Sequence, residues 1–147
     1  MPFSLTKNGK SDPILNGLTN PFYAADIRQF QVTEPSEKII NELGAKILSF
    51  EIVDDNDNAL AGLGSVRISN EIVGTQFHPE ADPESMLYHI KQEERKKQVV
   101  EKYGEERYDQ MIEILQKPDT IQKTKYTVIP SFLNNAIKEL SRVMVRE

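Results

Sequence analysis

The strongest constraint on this chain's fold is the stretch Ile72-Val73-Gly74-Thr75-Gln76-Phe77-His78-Pro79-Glu80, an apolar run that closes on His-Pro-Glu. Its β-branched and aromatic content predicts a short buried strand, and Pro79 ends the ladder because it has no N–H to donate and a fixed φ. Side chains at i and i+2 of an extended chain point to the same side, so His78 and Glu80 are predicted to face each other across Pro79. A carboxylate so placed holds an imidazole in one tautomer and stabilises its charged form, which is the base-and-orienter part of a triad. His78 and Glu80 are therefore candidate catalytic residues, and no nucleophile accompanies them. An isolated His-x-Glu is otherwise an ordinary polar pair at a strand end.

Upstream of this stretch, residues 1 to 20 are rich in Lys, Gly, Asn, Ser and Pro and read as loop and turn, with Asn8-Gly9 and Asn16-Gly17 as turn formers. Pro21 to Val32 carries aromatic and β-branched residues and predicts a strand, or one broken near Asp26-Ile27-Arg28. Asp26 and Arg28 read either as pocket-lining residues or as a salt-linked pair on a solvated strand edge; the low specificity of such pairs favours the second. Pro35-Ser36-Glu37 opens a short surface helix with Ile39, Ile40 and Leu43 on one stripe and Gly44 as its stop. Ala45 to Val53 is a strand. Asp54-Asp55-Asn56-Asp57-Asn58 has the beginning of a calcium loop, but Ala59 stands where glycine is required and the closing Glu is absent, so it reads as a solvated connection. Leu60 to Ser69 and Glu71 to Phe77 form a predicted hairpin about Ser69-Asn70, with Gly62 and Gly64 marking a bulge.

Beyond Glu80 the pattern turns helical. Asp82 is a good N-cap and Pro83 suits the first helical position, giving one helix to Tyr103 with Gly104 as its stop. Its middle, Lys91 to Gln98, is polar almost all round and projects into solvent. Arg95, Lys96 and Lys97 read as an anion site or, with Glu93 and Glu94 beside them, as a self-compensating exposed face, and the second reading is preferred. Glu105 to Gln116 makes a further helix whose Tyr108, Met111, Ile112 and Leu115 are core, and Lys117-Pro118 ends it. A final helix is predicted from about Pro130 to Val145, burying Phe132, Leu133, Ile137, Leu140 and Val143.

The 147 residues are 38% hydrophobic and 28% charged, which suits one globular domain rather than a disordered segment. A formal net charge of −5 argues against a nucleic-acid partner. No apolar run nears the roughly 20 residues of a membrane helix and no signal-peptide pattern opens the chain, so a soluble cytoplasmic protein with no membrane partner is expected. Zero cysteines exclude disulfides, thiolate metal sites and cysteine nucleophiles from this chain. With only His78 and His89 and no recognised ligand spacing, neither a metal nor a cofactor is expected.

Gly74-Thr75-Gln76-Phe77-His78-Pro79-Glu80 resembles the carboxyl-terminal signature of class I glutamine amidotransferases, in which the His and Glu complete a Cys-His-Glu triad that releases ammonia from glutamine. The resemblance covers roughly Asp12 to Ile90. It implies an α/β fold, a partial flavodoxin-like sheet with a β-hairpin and an appended carboxyl-terminal helical tail, divided as residues 1–90 and 91–147. That tail, from about Lys91 onward, is similar to an appendage of a bacterial subgroup. Where most members carry Ser-His in the glutamine-pocket loop, Ala25-Asp26-Ile27-Arg28 stands here, so no substrate-binding residue carries over. The Gly-x-Cys-x-Gly elbow is absent, and no Gly-x-Ser-x-Gly turn replaces it. Glutamine is thus the implied substrate only if a complementary half supplies the cysteine. The alternative is a non-catalytic interaction or structural domain on the same scaffold. A parallel sheet that lacks its first strands exposes apolar surface and open edges, which implies a homo-oligomer or a partner chain that covers them.

Overall fold

Three phenylalanines distant in sequence meet at the centre of the molecule. Phe3 stacks on Phe22 with ring centroids 5.5 Å apart, and Phe77 tilts against both at 5.2 and 5.4 Å. All three are buried with Ile14, Leu15, Ala24, Leu48 and Val128 in one apolar cluster. Each fully buried aromatic of this kind stabilises the fold by about 1.5–3 kcal/mol, so the trio fixes the arrangement of the segments that carry it.

The computed structural model describes residues 1–53 and 60–144, the side chains of Val143 and Met144 excepted. Five strands, β1 (Pro2–Leu5), β2 (Phe22–Tyr23), β3 (Lys46–Glu51), β4 (Leu63–Arg67) and β5 (Val73–Thr75), form one sheet in the order β2-β1-β3-β4-β5. The described α-helices are α1 (Lys7–Ser11), α2 (Glu37–Glu42), α3 (Pro83–Ile90), α4 (Glu93–Tyr103), α5 (Glu105–Gln116) and α6 (Lys123–Met144), with a π-helical turn at Pro118–Gln122 leading into α6. The architecture is mixed α/β. Every strand pairing is antiparallel, so the parallel sheet anticipated above is not found among the described strands. Short links such as the one closed by the Ile68 N–H on the Ile72 carbonyl, 3.0 Å, can join only antiparallel neighbours.

The sheet curls until its two edges approach each other. Ala25, just past β2, bridges His78, just past β5, in antiparallel sense, and a second bridge joins Thr33 to Gly62. The predicted hairpin is present as β4 and β5, and the β3–β4 register shifts at Ser49, beside Gly64. A Cβ on Gly64 would lie 2.5 Å from Ser49 Oγ and 2.8 Å from the Phe3 ring, so this position must be glycine for the strand to approach the core.

Several expectations are corrected. Residues 1 to 20 are not all loop: β1 lies inside the sheet, and α1 starts from Thr6, whose Oγ1 accepts the Gly9 N–H at 3.0 Å. The four-residue Phe3/Leu5 alternation is too brief to stand out in a polar segment. Pro21 to Val32 is not one strand, since β2 holds two residues and the chain then runs extended along the sheet edge. The helix expected to run from Pro83 to Tyr103 is two, because Gln92 is extended at φ −62°, ψ 135°. The break lets Met86, Leu87 and Ile90 of α3 face Ala25, Leu115 and Ile121, and gives α4 a fresh start with Glu93 and Glu94 at its positive end.

The last helix begins at Lys123, not at Pro130, which lies inside it. Thr124 Oγ1 donates to the Tyr23 carbonyl at 2.7 Å and Val128 enters the core, so docking on β2 carries the helix through a proline that local preference would place at its start. Phe132 is partly buried, but Leu133, Ile137 and Leu140 are exposed, contrary to the expected buried side. The acidic run Asp54 to Asn58, Val145 and the Val143 side chain lie outside the described residues.

Candidate functional site

Burial of Phe77 sets the orientation of its neighbours. Alternation along the extended chain turns Gln76 and His78 away from the core. Gln76 then clamps the segment opposite: its Nε2 donates to the Phe30 carbonyl at 3.2 Å and its Oε1 accepts the Val32 N–H at 3.4 Å. The His78 N–H donates to the Ala25 carbonyl at 2.8 Å, and the Ala81 N–H returns to the His78 carbonyl at 3.2 Å, forming a tight turn across Pro79. The candidate site therefore lies at the seam where the curled sheet meets its own far edge.

At that seam His78 Nδ1 and Glu80 Oε1 are 2.9 Å apart, with the side chains 43% and 62% exposed. The i, i+2 geometry expected of an extended His-Pro-Glu is thus present. The hydrogen bond to Glu80 is the main cause of a raised His78 pKa; partial burial opposes it, and the backbone at Ile27 and the charges of Glu80 and Asp26 add to it. The same bond lowers the Glu80 pKa. A carboxylate only accepts, so the contact fits an Nδ1–H donated to Glu80, and in that tautomer the neutral ring has its lone pair on Nε2, where a general base takes up a proton. Among the described residues, no hydroxyl side chain hydrogen-bonds to the ring, and none of the chain's residues is a cysteine.

Asp26 and Arg28 are not on a solvated edge. Arg28 forms ion pairs with both Asp26 and Glu51, and the Asp26 side chain is only 3% exposed. Desolvation raises the Asp26 pKa against the pull of Arg28, and Asp26 Oδ1 has no hydrogen-bond partner among the described residues. Sequence reasoning missed this network because Glu51 arrives from β3, which no local spacing reveals. Asp26 and Ile27 also line an apolar cleft of about 560 Å³ with Met86, Ile90 and Leu115, but neither His78 nor Glu80 borders it.

The segment that Gln76 clamps carries exposed apolar side chains. Ile27 is 76% and Phe30 86% exposed, with Val32 also outside. Lys97 pairs with Glu101 at 3.9 Å and Lys96 approaches Glu105 at 4.0 Å, whereas Arg95 donates to the neutral Gln98 amide at 3.1 Å. Among the described residues no group of three or more His, Asp or Glu side chains is placed to hold a metal ion, and no helix is long and apolar enough to cross a membrane.

Comparison with protein-family models, curated proteins and solved structures finds no match to this chain.

Proposed function

We propose that this chain is the base-bearing half of a class I glutamine amidotransferase domain. The observation that carries the reading is the 2.9 Å contact between His78 Nδ1 and Glu80 Oε1 in the seven-residue Gly74 to Glu80 context. In this reading the curled antiparallel sheet is the second half of a flavodoxin-like domain spanning residues 1–90, and residues 91–147 are a helical appendage to it. The parallel strands and the nucleophile come from a complementary segment, whether a separate chain or sequence joined to this one. His78 takes the proton of the cysteine thiol supplied by that segment as the thiolate attacks the glutamine amide carbon. It then gives the proton to the departing ammonia, while Glu80 stabilises the intervening imidazolium. Alone, the chain has nothing to activate and does not hydrolyse glutamine.

The exposed Ile27, Phe30 and Val32 beside the dyad are the surface on which the complementary half would close. Mixing the chain with an amino-terminal half that carries a Gly-x-Cys-x-Gly elbow, and following ammonia release from glutamine, tests the reading. Release that disappears with His78→Ala is expected; no release with any complementing half, under conditions where the two bind, overturns it.

The same apolar flank also favours a second reading, a non-catalytic interaction domain that keeps the scaffold. Its mark is partner binding that survives His78→Ala unchanged.

A further inference from the structure

Between the bridges at Ala25 and Thr33 the chain runs as neither strand nor helix. His78 is seated on this segment: its N–H donates across the seam to the Ala25 carbonyl at 2.8 Å, and the Ile27 backbone and the Asp26 charge both act on the imidazole. With no ladder of its own, the segment takes its position from side chains. Gln31 Nε2 donates to the Leu60 carbonyl at 3.2 Å, and Gln76 bonds the Phe30 and Val32 backbone at 3.2 and 3.4 Å. These contacts are exposed, and bonds that water can replace contribute little.

The buried tie is Arg28. Its guanidinium pairs with Asp26, one residue past Ala25, and with Glu51 at the end of β3. The three side chains are 15%, 3% and 6% exposed, so a lost partner strands a desolvated charge. A guanidinium offers its donors in a rigid planar fork, and one fork shared by two carboxylates fixes their separation. It thereby sets the path of residues 25–28 over β3. The chain before β4 leaves room for the fork: a Cβ on Gly62 would lie 2.9 Å from Arg28 Nη2, 3.0 Å from Gln31 Oε1 and 3.1 Å from Glu51 Oε2. Gly62 is not in the left-handed region, so glycine serves there for space.

We propose that Arg28 is a positioning residue for His78: by bridging Asp26 to Glu51 in the space left by Gly62, it holds the segment where the Ala25 carbonyl receives the His78 N–H and Ile27 faces the ring. The inference rests on taking His78 and Glu80 as the functional dyad. It is tested on this chain alone, so the outcome is independent of any complementary half.

Amide hydrogen exchange separates positioning from bulk stability. The Gln76 N–H donates to the Gly64 carbonyl at 2.8 Å, whereas that of His78, two residues on, donates to the segment that Arg28 holds. General destabilisation speeds both; loss of the tie speeds His78 alone. Arg28→Gln should raise the His78 rate relative to that of Gln76 by about tenfold or more. Gly62→Ala, which removes no charge and displaces only the ends of side chains, should raise the same ratio several-fold. It should also lower the midpoint of the His78 ring titration, monitored by NMR, toward its ordinary value as Ile27 and Asp26 draw away and Glu80 stays. Asp12→Ala, which breaks the ion pair with Arg67, is the reference for a merely destabilised chain. If Arg28→Gln does not fold, Gly62→Ala decides. A ratio in either folded variant no greater than in Asp12→Ala, or a His78 titration that Gly62→Ala leaves in place, overturns the proposal.

Discussion

His78 Nδ1 is held 2.9 Å from Glu80 Oε1 by a turn whose other residue, Pro79, offers no N–H to compete for the carboxylate. The raised imidazole pKa has this bond as its largest cause. Glu80→Gln keeps the shape and removes the charge, so the His78 pKa should fall toward its ordinary value. Proton NMR titration of the His78 ring, assigned against His89→Asn, measures this. An unchanged titration would show that Glu80 does not govern the imidazole.

Linkage gives the pair a defined pH window. The His78 pKa is raised on folding, so its contribution to stability is complete below the unfolded imidazole value and fades as pH rises through the folded one. The Glu80 pKa is lowered on folding, so its contribution is complete above the unfolded carboxyl value and fades as pH falls through the folded one. Both are complete between about pH 4.3 and about pH 6.5. The stability difference between the native chain and Glu80→Gln should therefore be largest near the middle of that window and shrink as pH rises through the folded imidazole pKa. Because both side chains are well exposed, the difference should stay below about 1 kcal/mol. Urea unfolding at several pH values resolves it.

Arg67 makes a two-point ion pair with Asp12, Nε to Oδ2 at 2.6 Å and the second nitrogen to Oδ1 at 2.9 Å, and so fastens the turn after α1 to β4. Asp12 also receives the Ile14 N–H at 3.1 Å. Its side chain is 5% and that of Arg67 15% exposed, so removing one partner strands a desolvated charge. Asp12→Ala should cost about 3–5 kcal/mol. Replacing both with apolar residues should cost less than either single change, and a double-mutant cycle in urea decides between these outcomes.

How far the sequence foretold this arrangement depends on how local each cause is. The dyad was legible because two residues and a proline on one extended segment carry it, and so were the hairpin and the start of α3, where Asp82 Oδ2 accepts the Ser85 N–H at 2.8 Å. Position β1 was not legible, because a four-residue strand is recognised by what it pairs with. The Arg28 network needed Glu51, and the true start of α6 needed Tyr23 as an acceptor for Thr124; both are partners that only the fold brings near. The antiparallel sheet was misjudged because resemblance in one stretch was extended to a parallel sheet that is not found among the described residues.

Gly9 offers the sharpest test of the corrected amino-terminal segment. The sequence Asn8-Gly9 suggests a turn, yet Gly9 sits in α1 against the backbone of β3, where an added Cβ would lie 1.9 Å from the Leu48 carbonyl oxygen and 2.9 Å from its carbon. Its φ is not in the left-handed region, so glycine is required here for space and not for conformation. In a helix Gly→Ala normally stabilises by up to about 1 kcal/mol. Here the methyl group meets backbone that cannot rotate away, and α1 must lift from β3, taking the Thr6 hydroxyl from its 2.7 Å bond to the Ile47 carbonyl. Gly9→Ala should therefore destabilise the chain by about 1–3 kcal/mol or more. Gly44→Ala provides the contrast: nothing lies within 4 Å of its added Cβ, and any loss there comes from φ +62° alone. Thermal unfolding of the two variants side by side checks the prediction, and a Gly9→Ala chain as stable as the native one would place α1 away from β3.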